Sequence, residues 1–361
     1  MFFHSLVEQK RKILQSDLIQ GTTYTPLSFL GFGIPVICHF GSTNAGIISA
    51  TPQTHRLEDE NKEILHKLKA DGVLDTLRLK TMQPLRDIAE VELYTALLSD
   101  AVIATSELVK EELASYGVPP EKVRVIHNAI EDYWFAKSPA PIAPPALVFL
   151  GRLGNDIFTW KLKGLDRVIA LYKKFPSLPK VTLAASSNAK LPGWLTRHIS
   201  RHTSHFNLPK EEIATTLHEL RGSIVLLTSR YEGFSLSLIE AMSQGLIPLA
   251  YAVGVVPEII EDGVNGYVVQ SIVEAKAKVR LICKDEALRK RLSDGAIATA
   301  SKFRGDVMAA ELTAFYEEVL AKKHGESAIL TAASERDKRQ AGIDIEWAAT
   351  TAEKVVEATE K

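Results

Sequence analysis

The chain has 361 residues, 46% of them hydrophobic and 24% charged, a composition typical of a globular protein long enough for two domains. Its 43 lysines and arginines balance 44 aspartates and glutamates, so it has no excess positive charge with which to gather a nucleic acid. Two cysteines, Cys38 and Cys283, are too few for a disulfide framework or a thiolate metal site. With no signal-peptide pattern and no apolar run approaching about 20 residues, we expect a cytoplasmic protein whose membrane contact is at most peripheral.

The first 137 residues alternate between strand and helix patterns. Predicted strands cover residues 17–20, 35–40, 101–105 and 123–128, and predicted helices cover residues 5–16, 26–33, 56–70 and 84–98, with another helix from the cap at Ser106 to Gly117. The helix over 84–98 is expected to turn Leu85, Ile88, Val91 and Leu97 inward. Such alternation favours a parallel sheet covered on both faces.

A proline-rich stretch, residues 138–146, has four prolines in nine residues and predicts an extended linker between two domains. We expect an amino-terminal domain over 1–137 and a second domain over 147–304. A helix over 305–322 should return to the first domain, and a polar, loosely docked tail should follow over 323–361.

The stretch from Tyr231 to Gly245, YEGFSLSLIEAMSQG, follows an apolar run typical of a buried strand and opens an amphipathic helix. Ser235 is a candidate helix N-cap, and Gly245 stands where a left-handed C-cap is expected. The free amides and the dipole at the start of such a helix suit a phosphate. On packing alone, Glu232 and Glu240 could instead be incidental.

The residues that follow this helix carry a recognisable pattern: the apolar run 246–250, Gly254, Pro257-Glu258 and the turn 262–269. Together with the EGF motif and the two spaced glutamates, this half resembles the donor-binding domain of retaining, family-4-type glycosyltransferases. The resemblance implies an α/β protein of the GT-B fold, with two Rossmann-like domains facing a cleft. One departure is Gly254-Val255, where the family often has two glycines.

Fragments of the first half, PVICHF, AVIATSELVKEEL and VRVIHNAI, resemble the second half of the same family's amino-terminal domain. The family's first strand and glycine-rich turn are not present, so we expect this domain to be incomplete, with a long apolar sheet edge. A truncated chain, a second chain or self-association covering the edge, or a rebuilt half-domain would each explain this. We favour the first two explanations.

The resemblance assigns the donor diphosphate to Arg152 and Lys163, together with the backbone amides of Phe234, Ser235 and Leu236. We expect both cations on loops at the carboxyl ends of adjacent elements, where open parallel sheets bind ligands. The plain alternative is that both are surface charges.

The resemblance also implies that Glu240 accepts hydrogen bonds from the ribose and that Glu232, at the donor sugar, is catalytic. Glu232 could also act as a helix-dipole partner. His39 is a weaker catalytic candidate, since Gly41 occupies the family's histidine position and a hydrogen-bonded strand-end histidine is an equal alternative. Leu208 would lie near the base.

A histidine-rich stretch, residues 190–210, would place His198 and His202 on one helix face. Without a carboxylate or thiolate nearby, a solvated basic face is favoured over a metal site. Trp194 and Leu195 offer a contact to an anionic membrane surface. Because no D-x-D motif ends a strand, we expect no metal and no cofactor other than the donor substrate.

The resemblance implies a retaining glycosyltransferase that moves a hexose-type sugar from a nucleotide-sugar to a glycan or lipid-linked acceptor, as in polysaccharide or lipopolysaccharide biosynthesis. The first alternative is a nucleotide-sugar-binding module without transferase activity, because the acceptor side depends on the missing strands. The second is a GT-B-type epimerase, for which no pair of catalytic carboxylates on both domains can be placed. Nucleic acid is not an expected partner.

Overall fold

The computed structural model describes residues 12–55, 59–74, 83–154 and 156–334, and these residues form two parallel sheets with helices packed on them. The predicted helix over 5–16 falls almost entirely outside the described residues.

The first sheet is built from residues before the linker, in the order β1-β2-β3-β4, and each neighbouring pair is parallel. Its strands are β1 (Ile19–Thr22), β2 (Val36–Phe40), β3 (Ala101–Ala104) and β4 (Val123–Val125), and its helices are α1 (Asn44–His55), α2 (Asp59–Ala70), α3 (Gln83–Leu98) and α4 (Glu107–Ser115). The sequence patterns did not predict α1. Residues 26–33, predicted as a helix, form only a 3₁₀ turn over Thr25–Phe29.

The open edge of this sheet differs from the long apolar edge that the sequence predicted. Strand β1 has only four residues, and Gln20 and Thr22 are exposed while Ile19 is buried. The hydroxyl of Tyr316 donates a hydrogen bond to the side chain of Gln20 at 2.7 Å. A short, half-polar edge of this kind is one that proteins tolerate in water.

Helices α3 and α4 cover one face of the first sheet, where Cys38 and Phe40 meet Val109 and Leu113. The predicted inward face of α3 is wrong at two of its four positions, since Leu85 and Ile88 are half-buried. Val91 and Leu97 are 38% and 39% exposed, whereas the helix buries Glu92, Thr95 and Ala96. The buried carboxylate of Glu92 accepts hydrogen bonds from the backbone and side-chain nitrogens of Asn44 at 2.8 and 2.6 Å, and this polar partner allows Glu92 to face inward.

A long helix, α13 (Gly305–Ser334), covers the opposite face, where Phe315 and Val319 pack against Ile37 and Ile103. The helix continues past Lys323, whose Nζ bonds to Asp100 at 3.0 Å. Residues 323–334 are therefore helical, not part of a loosely docked tail, and the remaining tail residues lie outside the described part. Among the described helices, none has both the length and the apolar character needed to cross a membrane.

The second sheet has the order β10-β9-β8-β5-β6-β7, again parallel throughout. Its strands are β5 (Leu147–Arg152), β6 (Lys180–Ala185), β7 (His202–Phe206), β8 (Ile224–Leu227), β9 (Ile247–Tyr251) and β10 (Tyr267–Val269). Its helices are α5 (Ile157–Leu162), α6 (Leu165–Lys174), α7 (Leu191–His198), α8 (Lys210–Glu219), α9 (Leu236–Ser243), α10 (Val256–Ile259), α11 (Ile272–Lys284) and α12 (Glu286–Ala300). The winding direction reverses between β5 and β8, which is where sheets of this type bind ligands.

The predicted pairing of His198 with His202 on one helix face is wrong, because α7 ends at His198 and His202 begins strand β7. The ring of His198 stacks on Trp194 at 4.4 Å between centroids. Trp194 and Leu195 are themselves buried, at 0% and 1% exposure, so the predicted membrane contact through them is also wrong.

Helix α2 packs on the second domain, although it precedes the linker in sequence. Its Ile64 and Leu68 join the core that contains Trp160 and Trp194. In the loop that follows, Asp71 accepts a hydrogen bond from Trp194 Nε1 at 2.7 Å. The two domains are therefore interlaced by this segment as well as joined by the linker.

Candidate active site

The loop between β8 and α9 is held by a buried ion pair. Arg230 donates to both oxygens of Asp166 at 2.9 and 2.7 Å, and the two side chains are 3% and 0% exposed. The Arg230 backbone N–H also donates to the carbonyl of Leu162 at 2.7 Å. Bidentate geometry and burial make this one of the stronger interactions available to a loop. Sequence patterns do not indicate Arg230 as important, because a lone arginine before the motif belongs to no pattern.

Gly164 lets the loop before α6 touch the end of β8 at the backbone. Its φ is +67°, and a Cβ there would lie 1.9 Å from the carbonyl oxygen of Thr228. The Thr228 hydroxyl donates to the Gly164 carbonyl at 3.0 Å. This close approach brings the neighbouring Lys163 to the loop that carries Glu232.

Lys163 and Glu232, two predicted site residues, lie together at this point. The Lys163 ammonium donates to the two carboxylate oxygens of Glu232 at 2.7 and 2.9 Å, and the Ser229 hydroxyl donates to Oε1 at 2.7 Å. The two charged side chains are 28% and 14% exposed. An anion that binds here would compete with the Glu232 carboxylate for the Lys163 ammonium.

Helix α9 begins without a side-chain cap. Ser235 occupies the N-cap position as predicted, but its φ is +96° and its side chain makes no cap hydrogen bond. Its hydroxyl is buried and has no hydrogen-bond partner in the described part of the chain. The helix end therefore keeps a buried hydroxyl and a positive dipole end, a combination that suits an anion.

The other residues predicted to bind the donor diphosphate differ in exposure. Phe234 is buried, with its ring 5.9 Å from those of His127 and Phe303. Leu236 is 40% exposed, and Arg152 is exposed at the carboxyl end of β5.

Glu240 belongs to a second charged group further along α9. Its carboxylate lies 3.8 Å from the Lys210 ammonium, which also contacts Glu131 at 2.5 Å. Burial raises the pKa of Glu240, and the Lys210 charge opposes that shift. Leu208, partly buried against the core, is two residues before Lys210. Lys210 and Glu131 were missed because they lie outside the motif.

A buried hydrogen-bond network joins the two domains beside Glu232. The backbone N–H of Thr43 donates to the hydroxyl of Tyr231 at 3.0 Å, and the Thr43 hydroxyl donates to Glu112 Oε2 at 2.6 Å. The Tyr231 hydroxyl also donates to Glu112 Oε2 at 3.0 Å. Burial raises the pKa of Glu112, while these two hydrogen bonds lower it.

Glycines allow the domains to meet at the backbone. A Cβ on Gly46, in α1, would lie 2.4 Å from both Tyr231 Oη and Glu112 Oε1, and one on Gly233 would lie 1.9 Å from the carbonyl oxygen of Gly41. The Ser106 hydroxyl donates to the Gly233 carbonyl at 2.6 Å. The structure therefore presents the domains in close contact at the candidate site.

The two histidines near the domain boundary differ in position. His39 lies on the same face of β2 as Ile37, with Nδ1 3.4 Å from Gln20 Nε2, and burial lowers its pKa. His127, which no sequence pattern indicates, pairs with Glu258 at 2.9 Å across the two domains. The contacts of His39 match the hydrogen-bonded strand-end alternative.

Comparison with known proteins supports the resemblance on both halves. Residues 2–132 match the model for "Glycosyltransferase Family 4", and residues 131–299 match that for "Glycosyl transferases group 1". A D-inositol 3-phosphate glycosyltransferase from Streptomyces bingchenggensis is 28% identical over 65% of this chain and 56% of its own length. An alpha-maltose-1-phosphate synthase from Mycolicibacterium smegmatis is 24% identical over 50% of each chain. The chain thus spans about half the length of these curated relatives.

Solved structures share the fold at low sequence identity. A sucrose-phosphate synthase from Thermosynechococcus elongatus gives a TM-score of 0.66 at 18% identity, covering 89% of this chain and 78% of the other. HepE from Anabaena, solved in complex with UDP-glucose, gives 0.64 at 18% identity, covering 86% and 81%. These likenesses confirm the predicted α/β, GT-B fold. With both halves matched by glycosyltransferase models, the chain belongs to the family-4-type glycosyltransferases of group 1.

Proposed function

We propose that this chain transfers a hexose-type sugar from a nucleotide-sugar donor to a glycan or lipid-linked acceptor, with retention of anomeric configuration. The observation that carries the proposal is the meeting of Lys163 and Glu232 beside the uncapped start of α9. A donor diphosphate is the ligand whose charge matches this cation and helix end. The UDP-glucose complex of the structurally similar HepE is consistent with a uridine nucleotide.

In this proposal, each part of the donor has its own partner. Lys163 and Arg152 bind the diphosphate together with the amides of Phe234, Ser235 and Leu236, and the buried Ser235 hydroxyl gains the partner that it lacks. As charge grows on the departing nucleotide, these groups stabilise it.

Glu240 accepts hydrogen bonds from the ribose, and Leu208 lies against the base. Glu232, released from Lys163 when the diphosphate binds, faces the donor sugar at the reacting centre. The acceptor enters from the first domain, on the side of Tyr231 and Thr43.

Titration of the purified chain with UDP tests the donor site. We expect Lys163→Ala and Glu240→Ala each to weaken binding by roughly tenfold or more, since each removes a charge-assisted hydrogen bond. Lys173→Ala, which removes an exposed lysine from α6, is the matched control and should bind as the wild type does. Unchanged affinity in both site variants would contradict the proposal.

Product analysis tests the reaction itself. Incubation with UDP-glucose and a panel of glycan and lipid-linked acceptors should give a product with the same anomeric configuration as the donor, measured by NMR. Donor binding with neither transfer nor hydrolysis would instead favour a nucleotide-sugar-binding module.

A further inference from the structure

The first domain contains a cavity of about 230 Å³ between helices α1, α3 and α4. Its lining is mainly apolar and includes Phe40, Ile48, Leu93, Leu113 and Tyr116. Complete small-molecule sites usually measure about 300–1,000 Å³, so this cavity has room for one part of a ligand.

The main polar groups deep in the wall already have partners inside the protein. Thr43 is engaged by Glu112 and Tyr231, and the two carboxylate oxygens of Glu92 accept hydrogen bonds from Asn44. A ligand group in the cavity therefore finds apolar contacts and few polar groups in need of a partner. Such a surface binds alkyl or aromatic groups and disfavours a bare sugar, whose hydroxyls would lose their water.

The position of the cavity links it to the candidate active site. Thr43 lines the cavity and also contacts Tyr231, the residue immediately before Glu232. The residues proposed to bind the nucleotide-sugar donor all belong to the second domain. Phe40 and Thr43, in contrast, lie at the carboxyl end of β2 in the first domain. The cavity therefore shares a wall residue, Thr43, with the contact that joins the first domain to the loop carrying Glu232.

We infer that the cavity between α1, α3 and α4 binds an apolar group, alkyl or aromatic, carried by the acceptor. This assignment rests on the proposed function, because it identifies the occupant as the sugar acceptor. The exposed side chains of Arg86 and Glu90, which also line the cavity, would contact polar parts of the acceptor outside the apolar region.

The test compares two probes, octyl β-glucoside below its micellar concentration and methyl β-glucoside, by calorimetric titration of the full chain. The octyl compound should bind more tightly by on the order of tenfold or more, because burial of its chain removes apolar surface from water. Leu93→Trp and Ala89→Phe fill the cavity from α3 and should abolish the difference. Val91→Trp adds the same bulk at an exposed position of α3 outside the lining and should preserve it.

UDP binding, measured on the same samples, distinguishes failure of the acceptor site from failure of the proposed function. UDP binding without a preference for the octyl compound, or a preference that survives both cavity-filling variants, would overturn the acceptor site alone. A preference for the octyl compound in a protein that binds no UDP would overturn the proposed function and, with it, the identification of the occupant as an acceptor. Either cavity variant that retains UDP binding is informative, so the result does not depend on both variants folding.

Discussion

Tyr231 from the second domain and Glu112 from the first are hydrogen bonded across the domain boundary at 3.0 Å. The phenol is buried, and the next residue in the chain is Glu232, which bonds to Lys163. Contact between the domains is thus coupled directly to the loop that carries the candidate catalytic carboxylate.

Removing the Tyr231 hydroxyl should loosen this contact. For Tyr231→Phe we expect a loss of about 1–3 kcal/mol in the free energy of unfolding, because the partly buried Glu112 loses one hydrogen-bond donor. Transfer should slow while UDP affinity stays unchanged, since the Tyr231 hydroxyl is hydrogen bonded to Thr43 and Glu112 of the first domain. Urea unfolding and steady-state kinetics measure these effects. Tyr94→Phe, on an exposed side chain of α3, should change neither.

A methyl group on α1 should push the domains apart. In Gly46→Ala the new Cβ would lie 2.4 Å from Tyr231 Oη and Glu112 Oε1, closer than packed atoms allow. We expect a larger radius of gyration by small-angle X-ray scattering and a loss of transfer activity. Gly193→Ala in α7, where a Cβ meets nothing within 4 Å, is the matched control and should be neutral or slightly stabilising. An unchanged radius in Gly46→Ala would show that the network does not hold the domains together.

Breaking the buried pair of Arg230 and Asp166 should destabilise the second domain strongly. Arg230→Leu leaves an uncompensated carboxylate at 0% exposure, for which the expected cost is about 3–5 kcal/mol by urea unfolding. The double variant Arg230→Leu/Asp166→Leu removes both charges and should recover part of the loss. If the double variant were no more stable than the single one, backbone packing of the loop rather than the ion pair would be responsible.

His202 should make stability depend on pH. Burial, aided by the nearby Lys180 charge, lowers the pKa of this imidazole from 6.5 to about 4. Between these values the unfolded chain binds a proton that the folded chain does not, so the free energy of unfolding should fall as the pH falls from 6.5 towards 4. Urea midpoints at pH 7.5 and 5 should differ less in His202→Gln than in the wild type. His205→Gln, on the same strand, controls for the loss of an imidazole. If His202→Gln and the wild type showed the same difference in urea midpoint between pH 7.5 and 5, the prediction would be wrong.

Local patterns predicted the strand before Tyr231 and the helix after it in the second domain. The continuous apolar run before Tyr231 predicted β8, and Gly245 adopts the expected left-handed conformation with φ of +75°. These features depend on neighbouring residues and on backbone sterics, which sequence patterns record.

Patterns failed where distant partners decide the outcome. Helix α3 turns Glu92 inward because Asn44, 48 residues earlier, supplies its hydrogen bonds. Likewise, the bond from Lys163 to Glu232 spans 69 residues, and that from Thr43 to Tyr231 spans 188. The resemblance identified the residues of the donor site, but these contacts follow from tertiary structure alone.

The docking of α2 onto the second domain limits how this protein can be divided. A fragment that starts after the linker would lack Ile64 and Leu68, and the surface formed by Trp160 and Trp194 would face water. Such a fragment is expected to aggregate on expression, and the complementary fragment would carry an uncovered apolar helix. Dissection of the enzyme into separately produced lobes therefore requires residues 59–74 to be grafted onto the carboxyl-terminal piece.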